Sequence, residues 1–182
     1  MEEKYVKTLQ EASGKYIKFR QDEVILSNGK KASREMVLHP GAVAIAALTE
    51  ENELLMVRQY RYPIKEVSFE LPAGKLEKDE DPLASAKREL EEETGFWAKD
   101  WEKLTAFFTS PGFANEIIHL YLARGLEERK AHPDPGEIIE YEKIPIKKLR
   151  EQLNTGDIKD AKTIIGLLWT LERIGNGEIS TE

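Results

Sequence analysis

The sequence predicts a mixed α/β domain preceded by a strand-rich N-terminal arm. Three observations carry this: period-two alternation on either side of an Asn28-Gly29 turn signal, a wholly apolar run from Ala42 to Leu48, and a helical pattern punctuated at both ends between Asp81 and Gly95.

The elements follow in chain order. After a polar start, residues 16–20 alternate, 23–26 continue, and 31–38 resume beyond the turn, which reads as a short antiparallel meander. Pro40-Gly41 punctuates it, so the boundary is placed there, with an arm over residues 1–40 and a main domain over 41–182. Ala42 to Leu48 suits a fully buried strand, Glu50 to Glu53 a turn, and Leu54 to Val57 its partner strand. Asp81 is then a natural N-cap, Pro82 suits the first helical position, and Gly95 suits the residue just past the end. Strands are expected over 104–109, 117–123 and 138–144. Two further helices are expected over 147–153 and 160–174, the second with Ile164, Ile165, Leu168 and Leu171 as its apolar stripe.

Composition narrows the function. The 182 residues carry 27 basic and 34 acidic side chains, a net charge of −7, which disfavours general binding to phosphate backbones; no nucleic-acid partner is expected. Six Phe, six Tyr and three Trp supply a core, so disorder is not expected. With no cysteine there is neither a disulfide framework nor thiolate chemistry. His39, His119 and His132 lack zinc-ligand spacing. The start of the chain has no secretory pattern, and the longest stretch free of ionised side chains, 36–49, is 14 residues and contains His39 and Pro40. A soluble, cytoplasmic protein with no membrane partner is expected.

The chemistry concentrates on the punctuated helix. Arg88-Glu89-Leu90-Glu91-Glu92-Glu93 places four acids within five positions. At about 100° per residue, Glu92 and Glu93 fall near −60° and +40° of Glu89, whereas Glu91 falls near 200°. Three glutamates therefore share one face, beside the stripe of Leu83, Ala86 and Leu90. Like charges at these spacings cost roughly 0.2–0.5 kcal/mol per pair, and Glu92 and Glu93 meet the unfavourable end of the helix dipole. A divalent cation such as Mg²⁺ or Mn²⁺ offsets such a cluster and binds substrate phosphates as well. The alternative is a solvated charged face with Arg88 paired to Glu92.

The spacing is more specific than the charge. Gly74, Glu80, Arg88-Glu89-Leu90, Glu92-Glu93 and Gly95-Phe96 supply nine constrained positions over 23 residues, and this pattern resembles the signature of the Nudix hydrolases. That resemblance implies an α/β/α sandwich with a mixed sheet, preceded here by a small N-terminal antiparallel sheet exchanged in a homodimer. It implies binding of divalent metal, two or more ions of Mg²⁺ or Mn²⁺, and cleavage of a substituted diphosphate. It makes Glu89, Glu92 and Glu93 metal ligands, helped by the Ala73 carbonyl, with Arg88 orienting the acids. Glu80 supports the loop or joins the ligands.

Flanking residues point to a subfamily. Pro111 follows the last signature glycine by 16 residues, within Ser110-Pro111-Gly112, and this resembles the marker of ADP-ribose pyrophosphatases. Arg34-Glu35, His39 to Ala44, Arg58-Gln59-Tyr60-Arg61, Glu70 to Gly74 and Gly136 to Glu140 resemble the same group. By that resemblance the substrate is ADP-ribose, cleaved to AMP and ribose 5-phosphate. Arg61, with Arg58 as a second cation, grips the diphosphate through a planar guanidinium. Tyr16 and Arg34 stack on adenine, and Glu70 and Glu116 accept from ribose hydroxyls. Glu137 takes the proton of the attacking water, with Asp134 as the alternative. An exposed edge-strand role for Arg58 and a half-buried strand role for Tyr16 stay open. Trp97 and Trp101 are expected to pack against the acidic helix or a partner, and Trp169 in the core. Two other readings stay open as well: a pyrophosphatase for a different nucleoside diphosphate sugar, and a silent ADP-ribose-binding module.

Overall fold

The computed structural model describes residues 1–129 and 138–179. Its contacts divide the chain into two compact units, Met1–Gly41 with Phe107–Ile117, and Ala42–Ala106 with Ile118–Glu182.

In the first unit, β1 (Lys4–Ser13), β2 (Lys18–Ile25) and β3 (Lys31–Leu38) form an antiparallel sheet in that order. The Asn28-Gly29 turn forms as its sequence requires: Gly29 takes φ of 80°, and the Asn28 side chain accepts from the Lys30 amide at 3.0 Å. The polar start, to which the sequence assigns no element, forms β1. All ten of its residues are exposed, so its order comes from the ladder to β2 and not from a buried face. A strand of that kind leaves no alternation to read. Residues 107–117 join this unit through Val37, whose amide donates to Phe113 O at 2.7 Å and whose carbonyl accepts from Asn115 N at 3.3 Å.

The second unit begins with β4 (Ala42–Ala47), β5 (Glu53–Arg61), β6 (Glu66–Glu70) and β7 (Ala73–Lys75). It continues through α1 (Pro82–Thr94), β8 (Phe96–Phe108), β9 (Ile117–Glu128), β10 (Ile139–Pro145), α2 (Ile146–Thr155) and α3 (Ala161–Gly175). One sheet has the order β7-β4-β9-β8, with β4 parallel to β9, and is mixed; the other has the order β10-β5-β6. Every residue of β4 is buried, which is why it reads as a continuous apolar run. Val43, Ile45, Ala47, Tyr121 and Ala123 line one face of this sheet and pack with Ala86 and Leu90 of α1. On the other face Leu120 lies beside Gly166 of α3, so helices cover both sides.

Several expectations change here. β5 is not the ladder partner of β4: a single antiparallel bridge joins Leu48, just past β4, to Leu54, and β5 pairs with β6 and β10. β6 and β7 escaped the sequence reading, being short and interrupted by Leu71-Pro72. β8 starts at Phe96, directly after the helix, because Phe96 and Ala98 already join the core. In α3 the buried face is Thr163, Gly166, Leu167 and Thr170, while Leu168 is 53% exposed. Gly166 sets that rotation: a Cβ there would lie 2.3 Å from Leu71 Cδ1, so the helix comes closest to the sheet at its smallest residue. Trp169 is half-buried beneath Arg173 and not in the core. Trp101 packs on the cluster containing Ala86 and Leu90, as expected, and Arg129 lies over Trp97 at 5.0 Å. Among the described residues, no helix is long and apolar enough to cross a membrane.

Candidate active site

The signature segment builds the site from α1 outward. Asp81 accepts from the amides of Leu83 and Ala84, both at 3.0 Å, and Gly95 closes the helix at φ of 72°. Both stops follow the sequence punctuation, so the register of the glutamates is set locally. Burial of Ala86 and Leu90 then turns Glu89, Glu92 and Glu93 toward the edge of the core.

Arg88 is the hub. Its Nε and Nη2 reach the two oxygens of Glu80 at 3.0 and 3.1 Å, and its Nη1 bridges Glu89 Oε1 at 2.9 Å and Glu92 Oε2 at 2.8 Å. Ser85 Oγ also accepts from Nη2, at 3.2 Å. These bonds raise the Arg88 pKa, the Glu80 hydrogen bonds first among them, and Arg88 in turn holds the Glu80 carboxyl down at about 2. The Glu77 amide donates to Glu80 as well. Glu80 thus performs the loop-supporting role. The Arg88–Glu92 pair of the solvated-face reading is present, but as one bond of a five-bond fork.

Glu93 is buried, at 8% exposure, and its Oε2 accepts from the Ala73 amide at 3.0 Å. Glu89 lies over Gly74 so closely that a Cβ built there would sit 1.8 Å from its Cδ. The glycine of the signature is therefore a cradle for a carboxylate. These contacts supply the offset that the crowded acids demand.

A cationic half adjoins this acidic one. Arg61 forks onto Glu70, Nε to Oε1 at 2.8 Å and Nη2 to Oε2 at 2.7 Å, and Lys162 of α3 also binds Glu70 Oε2. Burial alone pushes the Glu70 pKa up; the hydrogen bonds from Arg61 and the charge of Lys162 outweigh it and hold it at about 2. Arg61 feels the charges of Glu93 and Asp160 too. With both oxygens in ion pairs at 2% exposure, Glu70 serves the neighbouring cations where a ribose contact was expected. Arg58 pairs with Glu142 and lies 5.4 Å over Phe69, the exposed-strand alternative.

Tyr16, Arg34, Pro111 and Glu116 belong to the first unit. Tyr16 is 53% exposed with Lys15 at 4.7 Å from its ring. Arg34 forks onto Glu3 at 2.9 and 2.5 Å. Pro111 occupies a turn closed by the amides of Phe113 and Ala114 onto Ser110 O, and Glu116 accepts from Thr109 Oγ1 at 2.7 Å. Glu137 and Asp134 lie outside the described residues. Lys162, Asp160 and Thr163 were missed by sequence reasoning; the available signal was a lysine in the first turn of a helix, where the dipole disfavours a cation.

Hard-oxygen donors held at defined points suit Mg²⁺ or Mn²⁺. The Gly74 cradle and the buried Glu93 fit such an ion by chemistry. Among the described residues no group of three acidic or histidine side chains is disposed to hold a metal, and Arg88 Nη1 bridges Glu89 and Glu92.

Comparison with known proteins follows the same lines. The NUDIX domain family model matches residues 38–165. The chain is 48% identical over 168 residues, 91% of each chain, to a methanol dehydrogenase activator of Bacillus methanolicus. It is 46% identical over 165 residues, 90% of this chain and 89% of the other, to an ADP-ribose pyrophosphatase of Bacillus subtilis (strain 168). The crystal structure of an ADP compounds hydrolase shares the fold, with a TM-score of 0.82 at 22% identity over 97% of each chain.

Proposed function

This chain belongs to the NUDIX domain family and is a hydrolase of that family, and on that basis we propose that its reaction is the hydrolysis of ADP-ribose by water to AMP and ribose 5-phosphate. The observation that carries the reading is the Arg88 fork, which holds Glu80, Glu89 and Glu92 in one array next to the cationic Arg61–Glu70–Lys162 group. A silent binding module has no need of so many glutamates crowded on one face of a helix. The 46% identity to a protein named ADP-ribose pyrophosphatase supports the substrate.

The roles follow from chemistry. Glu89, Glu92 and Glu93, with the Ala73 carbonyl, would hold two or more Mg²⁺ or Mn²⁺ ions, and divalent metals are general in this family. Such ions, when bound, neutralise a diphosphate and lower the pKa of water. Arg61 keeps Nη1 without a hydrogen-bond partner among the described residues and offers it to a diphosphate oxygen. Arg88 orients the glutamates by charged hydrogen bonds, its Nη1 shared between Glu89 and Glu92. Tyr16 and Arg34 hold the adenine, Glu116 a ribose hydroxyl, and Arg58 serves as a second cation for the diphosphate. Pro111 stiffens its turn, which by the subfamily resemblance contributes to substrate binding. Glu137 takes the proton of the attacking water, leaving the new P–O bond on one phosphate and the broken bridge oxygen on the other. The protein acts as a homodimer through the arm, whose exposed Tyr5, Val6, Leu9 and Ile17 supply apolar surface.

Incubation with ADP-ribose, GDP-mannose, UDP-glucose and NADH, with and without Mg²⁺, tests the reading. AMP released from ADP-ribose only when Mg²⁺ is present supports it. Preference for a different sugar nucleotide replaces the substrate, and no release from any compound removes the activity. A second reading, activation of a dehydrogenase, is favoured by the 48% identity to a protein of that name. It requires the purified chain to raise the turnover of an added methanol dehydrogenase.

A further inference from the structure

The N-terminal turn of α3 grips the short segment that joins the cationic and acidic halves of the site. Asp160 caps the helix, accepting from Thr163 N at 2.9 Å and Thr163 Oγ1 at 2.6 Å. Thr163 Oγ1 accepts in turn from the Leu71 amide at 2.9 Å. Leu71 follows Glu70 in the chain, and two residues on the Ala73 amide donates to Glu93. Lys162, between Asp160 and Thr163, bonds Glu70 Oε2 and reaches Asp160 Oδ1 at 3.1 Å.

A lysine here opposes two ordinary preferences. Its side chain is only 11% exposed, and it stands in the first helical turn, where the dipole repels a positive charge. Both costs are met by Glu70 and Asp160, so the sequence keeps a cation at a place where packing alone would favour an apolar side chain. The consequence falls on Arg61. A bidentate guanidinium–carboxylate pair is neutral as a unit and a weak anchor for a phosphate. When a second cation shares Glu70 Oε2, the carboxylate is divided between two partners, and Arg61 keeps positive potential and an unused Nη1. The same bond stops the carboxylate from turning and carrying the guanidinium with it.

We propose that Lys162 is a positioning residue: acting through Glu70, it holds the Arg61 guanidinium as the cation that grips the diphosphate. The inference rests on the reading of Arg61 given above, and neither the family signature nor the relatives' names assign Lys162 a role.

The test uses the full chain with Mg²⁺ and two readouts: calorimetric binding of ADP, which carries the diphosphate and needs no turnover, and steady-state hydrolysis of ADP-ribose. Lys162→Met is expected to weaken ADP binding at least about tenfold and to raise KM by a similar factor with kcat within about threefold. Lys162→Arg should restore both to within about threefold, and in an Arg61→Ala background Lys162→Met should add less than about twofold. Lys162→Gln, nearer in polarity, carries the same test if the methionine variant does not fold. A lower melting temperature with unchanged ADP affinity overturns the inference, as does an undiminished effect in the Arg61→Ala background. If ADP-ribose is not hydrolysed but ADP binding still depends on Lys162 through Arg61, the substrate reading fails and this one stands. If hydrolysis is normal and indifferent to Lys162, the reverse holds.

Discussion

Replacing Gly74 by alanine adds one methyl group at the point where β7 meets the acidic helix. The new Cβ would lie 1.8 Å from Glu89 Cδ, 1.9 Å from Oε1 and 2.3 Å from Oε2. β7 cannot yield, because it is paired to the buried strand β4 through Ala44–Ala73, Val43–Gly74 and Ala42–Lys75. The carboxylate must therefore retreat by more than an ångström, and it has a flexible side chain with which to do so. The cost in stability is a displaced rotamer and the loss of the 2.9 Å bond to Arg88, together about 1–2 kcal/mol. Melting should fall by a few degrees only. The cost in activity is larger, since a ligand misplaced by about 1 Å costs on the order of a hundredfold. Hydrolysis measured across a Mg²⁺ titration, beside a thermal melt, separates the two effects: Gly74→Ala should stay folded, lose at least about a hundredfold in turnover at fixed Mg²⁺, and need more metal for half-maximal rate. Turnover within about threefold of the parent, with unchanged metal demand, would refute the idea that the glycine exists to seat the Glu89 carboxylate.

Glu93→Gln keeps an oxygen for the Ala73 amide but loses the charge, so metal-dependent activity should vanish while the melting temperature moves by no more than a few degrees; Glu92→Gln should behave alike. Full activity in both would leave the helix as a charged surface. Glu137→Gln should reduce kcat at least about a hundredfold with affinity within several-fold, measured by single-turnover and binding experiments; near-normal kcat removes it as the base. The Glu70 carboxyl is held at about 2 against an ordinary value of 4.5, so its ionised form stabilises the fold fully above about pH 4.5. That contribution declines as pH falls from there toward 2, and is worth on the order of 3 kcal/mol. Urea melts of the parent and Glu70→Gln should therefore converge between pH 5 and about 2, and a constant gap across that range would contradict the ion-pair account.

The acidic helix was legible because everything that shapes it is local. Asp81, Pro82 and Gly95 set its ends, and a rotation of about 100° per residue put three glutamates on one face before any tertiary contact was known. Burial on both faces made β4 readable in the same way. Strands β1, β6 and β7 were not legible, since their order comes from ladder hydrogen bonds to β2, β5 and β4 and leaves no period in their own residues. The partner of Glu70 was likewise beyond reach. Lys162 is 92 residues away, and the packing of α3 at Gly166 against Leu71, with the Leu71–Thr163 hydrogen bond, brings its ammonium to that carboxylate. Chemistry carried by neighbours along the chain, the register of acids on one helix above all, can be deduced from residue order, because covalent geometry dictates it. The pairing of Arg61, Glu70 and Lys162 depends on three segments meeting in space, and no local rule encodes where they meet.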